Sequence, residues 1–140
     1  MQMDAAGLQA TLEQLGAEYT KRLGLRVETA APGEVTLALP VTPELLHGGG
    51  VLCGQAILAA ADTAMLLAMI AQLGEFRPMT TVQLQASFLR PVPGKVASVV
   101  VIGRVLRFGK ILSYGEVEFK TPDERLVAHA TTTYALLERE

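Results

Sequence analysis

The chain has 140 residues, half of them apolar and 19% charged, with a mean hydropathy of +0.34; this is too apolar for a disordered chain and sized for one domain, residues 1–140. Twelve Lys and Arg against fourteen Asp and Glu leave a net charge of -2, without the basic balance of a nucleic-acid binder. One cysteine and two histidines exclude an intrachain disulfide and a multi-cysteine zinc centre and argue against a histidine-rich metal site, so no metal is expected.

The start, Met1-Gln2-Met3-Asp4-Ala5-Ala6, has neither a basic nor an apolar leader region, and a cytoplasmic location is expected. Leu8, Leu12, Leu15, Tyr19 and Leu23 recur at steps of three and four, which predicts one amphipathic helix from 4 to about 23, closed by Gly24. Strands follow at 26–29 and 34–39, separated by Ala31-Pro32-Gly33. A glycine-rich loop, Leu46 to Gly54, then opens a run from Gln55 to about Leu73 dominated by Ala, Leu, Met and Ile. Apolar on nearly every side, that run predicts a helix buried all round. It is not read as a membrane span, because its apolar core is short of the required ~20 residues and contains Asp62.

Beyond Gly74 the pattern alternates. Val82, Leu84, Ala86 and Phe88 share one face of a strand at 80–88. Further strands are predicted at 95–106, 111–119 and 126–137, with turns at 90–94, 108–109 and 121–124, which reads as an antiparallel meander of four strands. Strands of ten to twelve residues, roughly 33–40 Å long, can curl around a helix of roughly 28 Å. Periodicity therefore supports an α+β domain with a central helix wrapped by its sheet. The apolar excess beyond one small core hints at subunit contacts.

Asp62 stands out in the most apolar stretch of the chain. An unpaired buried carboxylate is costly. Either Asp62 meets solvent or caps a neighbouring backbone group, or it is a carboxylate in a partly dry cleft, suited to act as a base or nucleophile. Gly48-Gly49-Gly50 and Gly54 precede the helix; they form either a loop needing unusual backbone angles or an anion site at a helix N-terminus. No Lys-Ser/Thr follows Gly54, so a nucleotide P-loop is excluded.

Gly50-Val51-Leu52-Cys53-Gly54-Gln55, six residues, then Asp62-Thr63-Ala64, resembles the signature of the PaaI-like (phenylacetate-type) hotdog-fold acyl-CoA thioesterases, which reads V-L-H-G-G, six residues, D-T-A. Thr81 to Pro91, ending Phe88-Leu89-Arg90-Pro91, and Leu126 to Tyr134, with His129 inside it, resemble that family's later strands. The resemblance runs from about residue 20 onward. It implies an α+β hotdog fold, with a curved antiparallel sheet around a long central helix, and hydrolysis of an acyl-CoA or aryl-CoA thioester. Coenzyme A would be part of the substrate, and no further cofactor is implied. By position Asp62 is the catalytic acid residue, and the Gly54 or Gln55 N–H polarises the thioester carbonyl. Thr81 matches a family Ser or Thr that bonds the water near the acid. His47 falls where the family often has Asn; it is either a polar active-site group or a surface loop histidine. Cys53 replaces the signature histidine and is read as packing at the helix entrance rather than as a nucleophile.

Seven residues separate Gln55 from Asp62, roughly 10 Å along a helix, so one chain cannot easily bring both to one carbonyl. A homodimer or dimer of dimers with the site at the subunit interface is expected. Arg90, Arg107, Gly109 and Lys110, with Arg104, are read as a cluster at the turns, either binding the coenzyme A phosphates or forming a solvated rim. Met65, with Met69 and Met79, shapes an acyl tunnel or belongs to the core. A hydratase would need a histidine just after Asp62, where Leu66-Leu67-Ala68 stands. The remaining alternative is a non-catalytic acyl-CoA-binding module. No membrane or nucleic-acid partner is expected.

Overall fold

The computed structural model describes residues 3–137; the outermost residues of the 1–140 unit lie outside the described part. The elements are α1 (Ala5–Leu15), α2 (Glu18–Lys21), β1 (Arg26–Ala31), β2 (Glu34–Pro40), a 3-10 turn (Pro43–Leu45), α3 (Gly54–Leu73), β3 (Met79–Phe88), β4 (Ser98–Arg107), β5 (Leu112–Lys120) and β6 (Leu126–Leu136). One six-stranded antiparallel sheet, in the order β1-β2-β4-β5-β6-β3, curves around α3. This is the hotdog arrangement.

α3 is the axis of the core. Twelve of its residues are buried, among them Ala60, Ala61, Ala64 and Ala68, which let the sheet approach closely. At Gly103 on β4 an added Cβ would lie 3.2 Å from the Ala64 Cβ, and at Gly115 on β5 one would lie 2.5 Å from the Met65 sulfur. Helix and sheet are thus in close contact there, where any larger residue would force them apart. Gly74, left-handed at φ 78°, ends the helix with its N–H on the Ile70 carbonyl at 2.8 Å. By length and composition alone α3 passes for a membrane span, with a mean hydropathy of 1.8, but 67% of that stretch is buried inside this fold. One stripe, Gln55, Leu58, Ala59, Asp62 and Leu66, is left partly open along the helix.

Three expectations are corrected. The first helix is not continuous to residue 23. It leaves helical geometry at Gly16, whose backbone is extended (φ -68°, ψ 150°), because glycine is a poor interior helix residue. Leu8 and Leu12 are buried, whereas Leu15 and Tyr19 are exposed. Second, only β4, β5 and β6 form a meander. β3 pairs with β6 instead of β4, and the nine residues 89–97 between β3 and β4 are too long for a hairpin turn. β4 takes its place beside β2, closing the sheet over α3. Third, Val82 does not share a face with Leu84 and Ala86. The β3–β6 register slips between Thr81 and Gln83, and Val82 is the extra residue, 56% exposed. This bulge reverses the alternation, so both Thr81 and Leu84 face α3.

Candidate active site

Thr81 and Tyr134 lie directly opposite each other in the β3–β6 ladder. Both reach Asp62 in the middle of α3. Thr81 Oγ1 donates to Asp62 Oδ1 at 2.7 Å. The Tyr134 hydroxyl lies 2.6 Å from the same Oδ1 and 2.8 Å from the Asp62 carbonyl oxygen. Tyr134 is buried. Burial, then the charge and hydrogen bond of Asp62, holds its phenol well above the ordinary value, so it stays a donor. Among the described residues no protein group donates to Oδ2, so the carboxylate presents one saturated and one open oxygen. Asp62, Thr63, Leu66 and Tyr134 line a cavity of about 160 Å³, whose far wall is the α1–α2 junction at Leu15 to Ala17.

Asp62 and Thr81 are therefore brought together, with Thr81 on the acid itself rather than on a water beside it. Tyr134 enters the sequence reading only as part of a strand motif; its inward place in the alternation Ala130, Thr132, Tyr134 reads as core, and only its pairing opposite Thr81 marks it as a donor to the acid. Tyr134→Phe keeps the ring and removes one donor from the carboxylate. It is expected to lower kcat roughly tenfold, about 1.4 kcal/mol, with KM little changed. Steady-state kinetics checks this.

Gly54 and Gln55 form the first turn of α3, which no side chain caps, so their N–H groups are open to a ligand. They lie at the Phe88 end of the sheet; the aromatic ring of Phe88 would sit 3.4 Å from a Cβ at Gly54. Asp62 and Thr81 lie toward the opposite, Met79 end of β3. His47 is exposed in the preceding loop and its ring turns back on that loop, Nδ1 accepting from the Gly49 N–H at 2.8 Å. Cys53 is the half-buried N-cap residue of α3, its N–H on the Leu45 carbonyl at 2.9 Å. It lines a separate cavity of about 240 Å³ with Tyr19, Arg22 and Leu45. Cys53→Ala is expected to cost no more than about tenfold in activity, a 1.4 kcal/mol misplacement; a dead variant together with rapid inactivation by iodoacetamide would make the thiol the nucleophile.

The expected phosphate-binding cluster divides. Arg107, Gly109 and Lys110 lie at the β4–β5 turn, at the Met79 end of the sheet, where Gly109 N–H donates to Ser113 Oγ at 3.1 Å. Lys110 lines a surface cavity of about 370 Å³ with Arg77, Ile111 and Leu136. Arg90 follows Phe88 at the other end of the same sheet, so it does not join them within one chain. Arg104 is engaged on the outer sheet face with Glu34 at 2.7 Å and Glu118 at 2.6 Å. His129 is on that face too, 3.0 Å from Glu116. Met65 is fully buried against Gly115 and does not line the Asp62 cavity, because its position on α3 faces the sheet.

Residues 49–128, more than half of the chain, match the profile of the thioesterase superfamily. The chain belongs to that superfamily. It is 30% identical, over 84% of its length and 81% of the other protein, to a protein of Saccharolobus solfataricus provisionally named an esterase. The structure of a conserved Pseudomonas aeruginosa protein superposes with a TM-score of 0.81 at 29% identity, covering 89% of this chain and 98% of that one. The Escherichia coli PaaI protein, from a phenylacetic acid degradation operon, superposes at 0.82 with 20% identity over 96% of this chain and 94% of that one, which speaks for the fold alone. This superfamily member is a hydrolase of the thioesterase or esterase kind.

Proposed function

We propose that the chain hydrolyses acyl-CoA or aryl-CoA thioesters, with Asp62 as its reactive carboxylate. The observation that carries this reading is the Asp62 carboxylate, held on Oδ1 by Thr81 and Tyr134 with Oδ2 open beside a cavity. Oδ2 takes a proton from a water that attacks the carbonyl carbon, or attacks that carbon itself. The carbonyl oxygen gains negative charge and is met by the Gly54 or Gln55 N–H at the positive end of α3. On the water route, collapse expels the coenzyme A sulfur, which leaves with the proton that Asp62 took up. On direct attack, coenzyme A leaves as the thiolate, and water then hydrolyses the acyl–Asp62 anhydride to the free acid and restores the carboxylate.

Those N–H groups and Asp62 lie apart on one helix, so a second subunit supplies one of them. β3 is an edge of the sheet and carries exposed Val82 and Phe88, 56% and 52%. Pairing two β3 strands antiparallel about an axis between Leu84 and Gln85 sets Thr81, and Asp62 behind it, beside the partner subunit's Phe88 and Gly54. The same operation carries the partner subunit's Arg90 to the end that holds Lys110 and Arg77, giving the coenzyme A phosphates three cations. His47 would join the site as a polar group only by turning its ring from the Gly49 N–H toward the thioester.

The test is release of free thiol from a panel of acyl-CoAs, with light scattering on the same sample. Turnover by a dimer or tetramer is expected. Tight acyl-CoA binding without thiol release would make the chain a binding module, and a monomer at micromolar concentration would remove the shared site.

A further inference from the structure

We infer that Thr132 is a positioning residue for the reaction: its buried hydroxyl fixes the bulge in β3, and the bulge holds Thr81 against Asp62. The inference rests on Asp62 being the reactive carboxylate, as proposed above. The β3–β6 ladder keeps one register from the pair Phe88 and Ala128 to the pair Gln83 and Thr133, then slips by one residue to the pair Thr81 and Tyr134. Without the slip Val82 would stand opposite Tyr134 and Thr81 opposite Ala135. Successive side chains of a strand point to opposite faces. Val82 would then face α3, and Thr81 would turn to the outer face, away from Asp62. The 2.7 Å bond from Thr81 to Asp62 Oδ1 therefore exists only while the bulge does.

A bulge disrupts the ladder locally, and here the partner strand ties down the residue that follows it. Thr132 Oγ1 donates to the Gln83 carbonyl oxygen at 2.8 Å. Thr132 is fully buried on the inner face of β6, opposite Leu84 and next to the slip. A hydroxyl on an apolar face is costly unless it is hydrogen-bonded. This one finds its partner across the ladder, on the backbone adjoining the bulge. Valine has nearly the same shape, so what threonine adds at this position is that bond. Tyr134, the other donor to Asp62 Oδ1, follows two residues later on the same face of β6, so one strand supplies both the second donor and the clamp that places the first.

The experiment measures kcat and KM for thiol release from acetyl-, hexanoyl-, benzoyl- and palmitoyl-CoA, the fastest with the wild type serving for the variants. These are Thr132→Val, Thr132→Ser, Thr132→Ala, Thr81→Ala and the pair Thr81→Ala with Thr132→Val, each followed by a thermal melt. Thr132→Val should lower kcat about tenfold, the upper range for one hydrogen bond, with KM little changed. Thr132→Ser should recover most of the activity although it lacks a buried methyl group. Thr132→Ala, which differs from serine only by the hydroxyl, should not; if the valine variant does not fold, that contrast decides alone. Adding Thr132→Val to Thr81→Ala should cost less than about twofold further, because both changes act on one bond. A valine variant as active as the wild type, activities that follow melting temperature with serine below valine, or losses that multiply in the double variant would reduce Thr132 to packing while thioester hydrolysis stands. An Asp62→Asn protein as active as the wild type, or no thiol release by the wild type, would instead overturn the reading of Asp62 and this inference with it.

Discussion

Asp62→Asn is expected to lower the rate of thioester hydrolysis by at least about 100-fold, the contribution of a positioned base, while the protein stays folded. Asparagine is the same size and keeps a carbonyl oxygen where Oδ1 accepts from Thr81 and Tyr134. It has no acceptor lone pair to take a proton, nor a carboxylate to attack, at the position of Oδ2. The two hydrogen bonds survive, and removing a charge from a half-buried site need not lower stability. The test pairs thiol release with near-ultraviolet circular dichroism. An Asp62→Asn protein with more than about a tenth of wild-type activity would end the assignment. The contrast with Tyr134→Phe matters: Tyr134 orients the carboxylate, so its loss should weaken the reaction without abolishing it.

Much of this is legible in the sequence because burial leaves a periodic trace. The all-round apolar run places the start of α3 within one residue, and a lone Asp62 in that run is visible as an anomaly. The strands announce themselves by alternation. What alternation cannot encode is pairing between distant strands. The meander fails at β3 because whether residues 89–97 turn back or cross the sheet depends on where α3 needs cover. It fails again at Val82, since a bulge inverts the faces without changing composition, and the inversion is what points Thr81 at Asp62. Tyr134 is hidden for a related reason. A tyrosine at an inward strand position reads as core, and only its register opposite Thr81 turns it into a donor to the acid. The cation cluster is misread because turns that follow one another in the chain need not be neighbours in space; Arg90 and Lys110 lie at opposite ends of strands about 30 Å long.

The second large effect is expected at the start of α3. Gly54→Pro deletes one N–H with little strain. Cys53 has φ -74° and ψ 149°, the extended conformation that a residue preceding proline prefers, and proline suits the first helical position. A Cβ at Gly54 meets the Phe88 ring at 3.4 Å, an ordinary contact. Loss of an oxyanion donor costs about 10²–10³ in kcat, and the pyrrolidine ring also occupies the space in front of the missing N–H. An active Gly54→Pro enzyme would transfer the role to Gln55. Mixing decides whether the site is shared. Asp62→Asn and Gly54→Pro homodimers each lack one half of every site. In a mixed dimer, one site loses both halves while the other joins an intact Asp62 from one chain to an intact Gly54 from the other. With random exchange, half the dimers are mixed and each has one good site of two, so co-refolding equal amounts of the two inactive proteins should restore about a quarter of wild-type activity. If Asp62 and Gly54 instead acted within one chain, every chain in the mixture would carry a lesion and activity would not return.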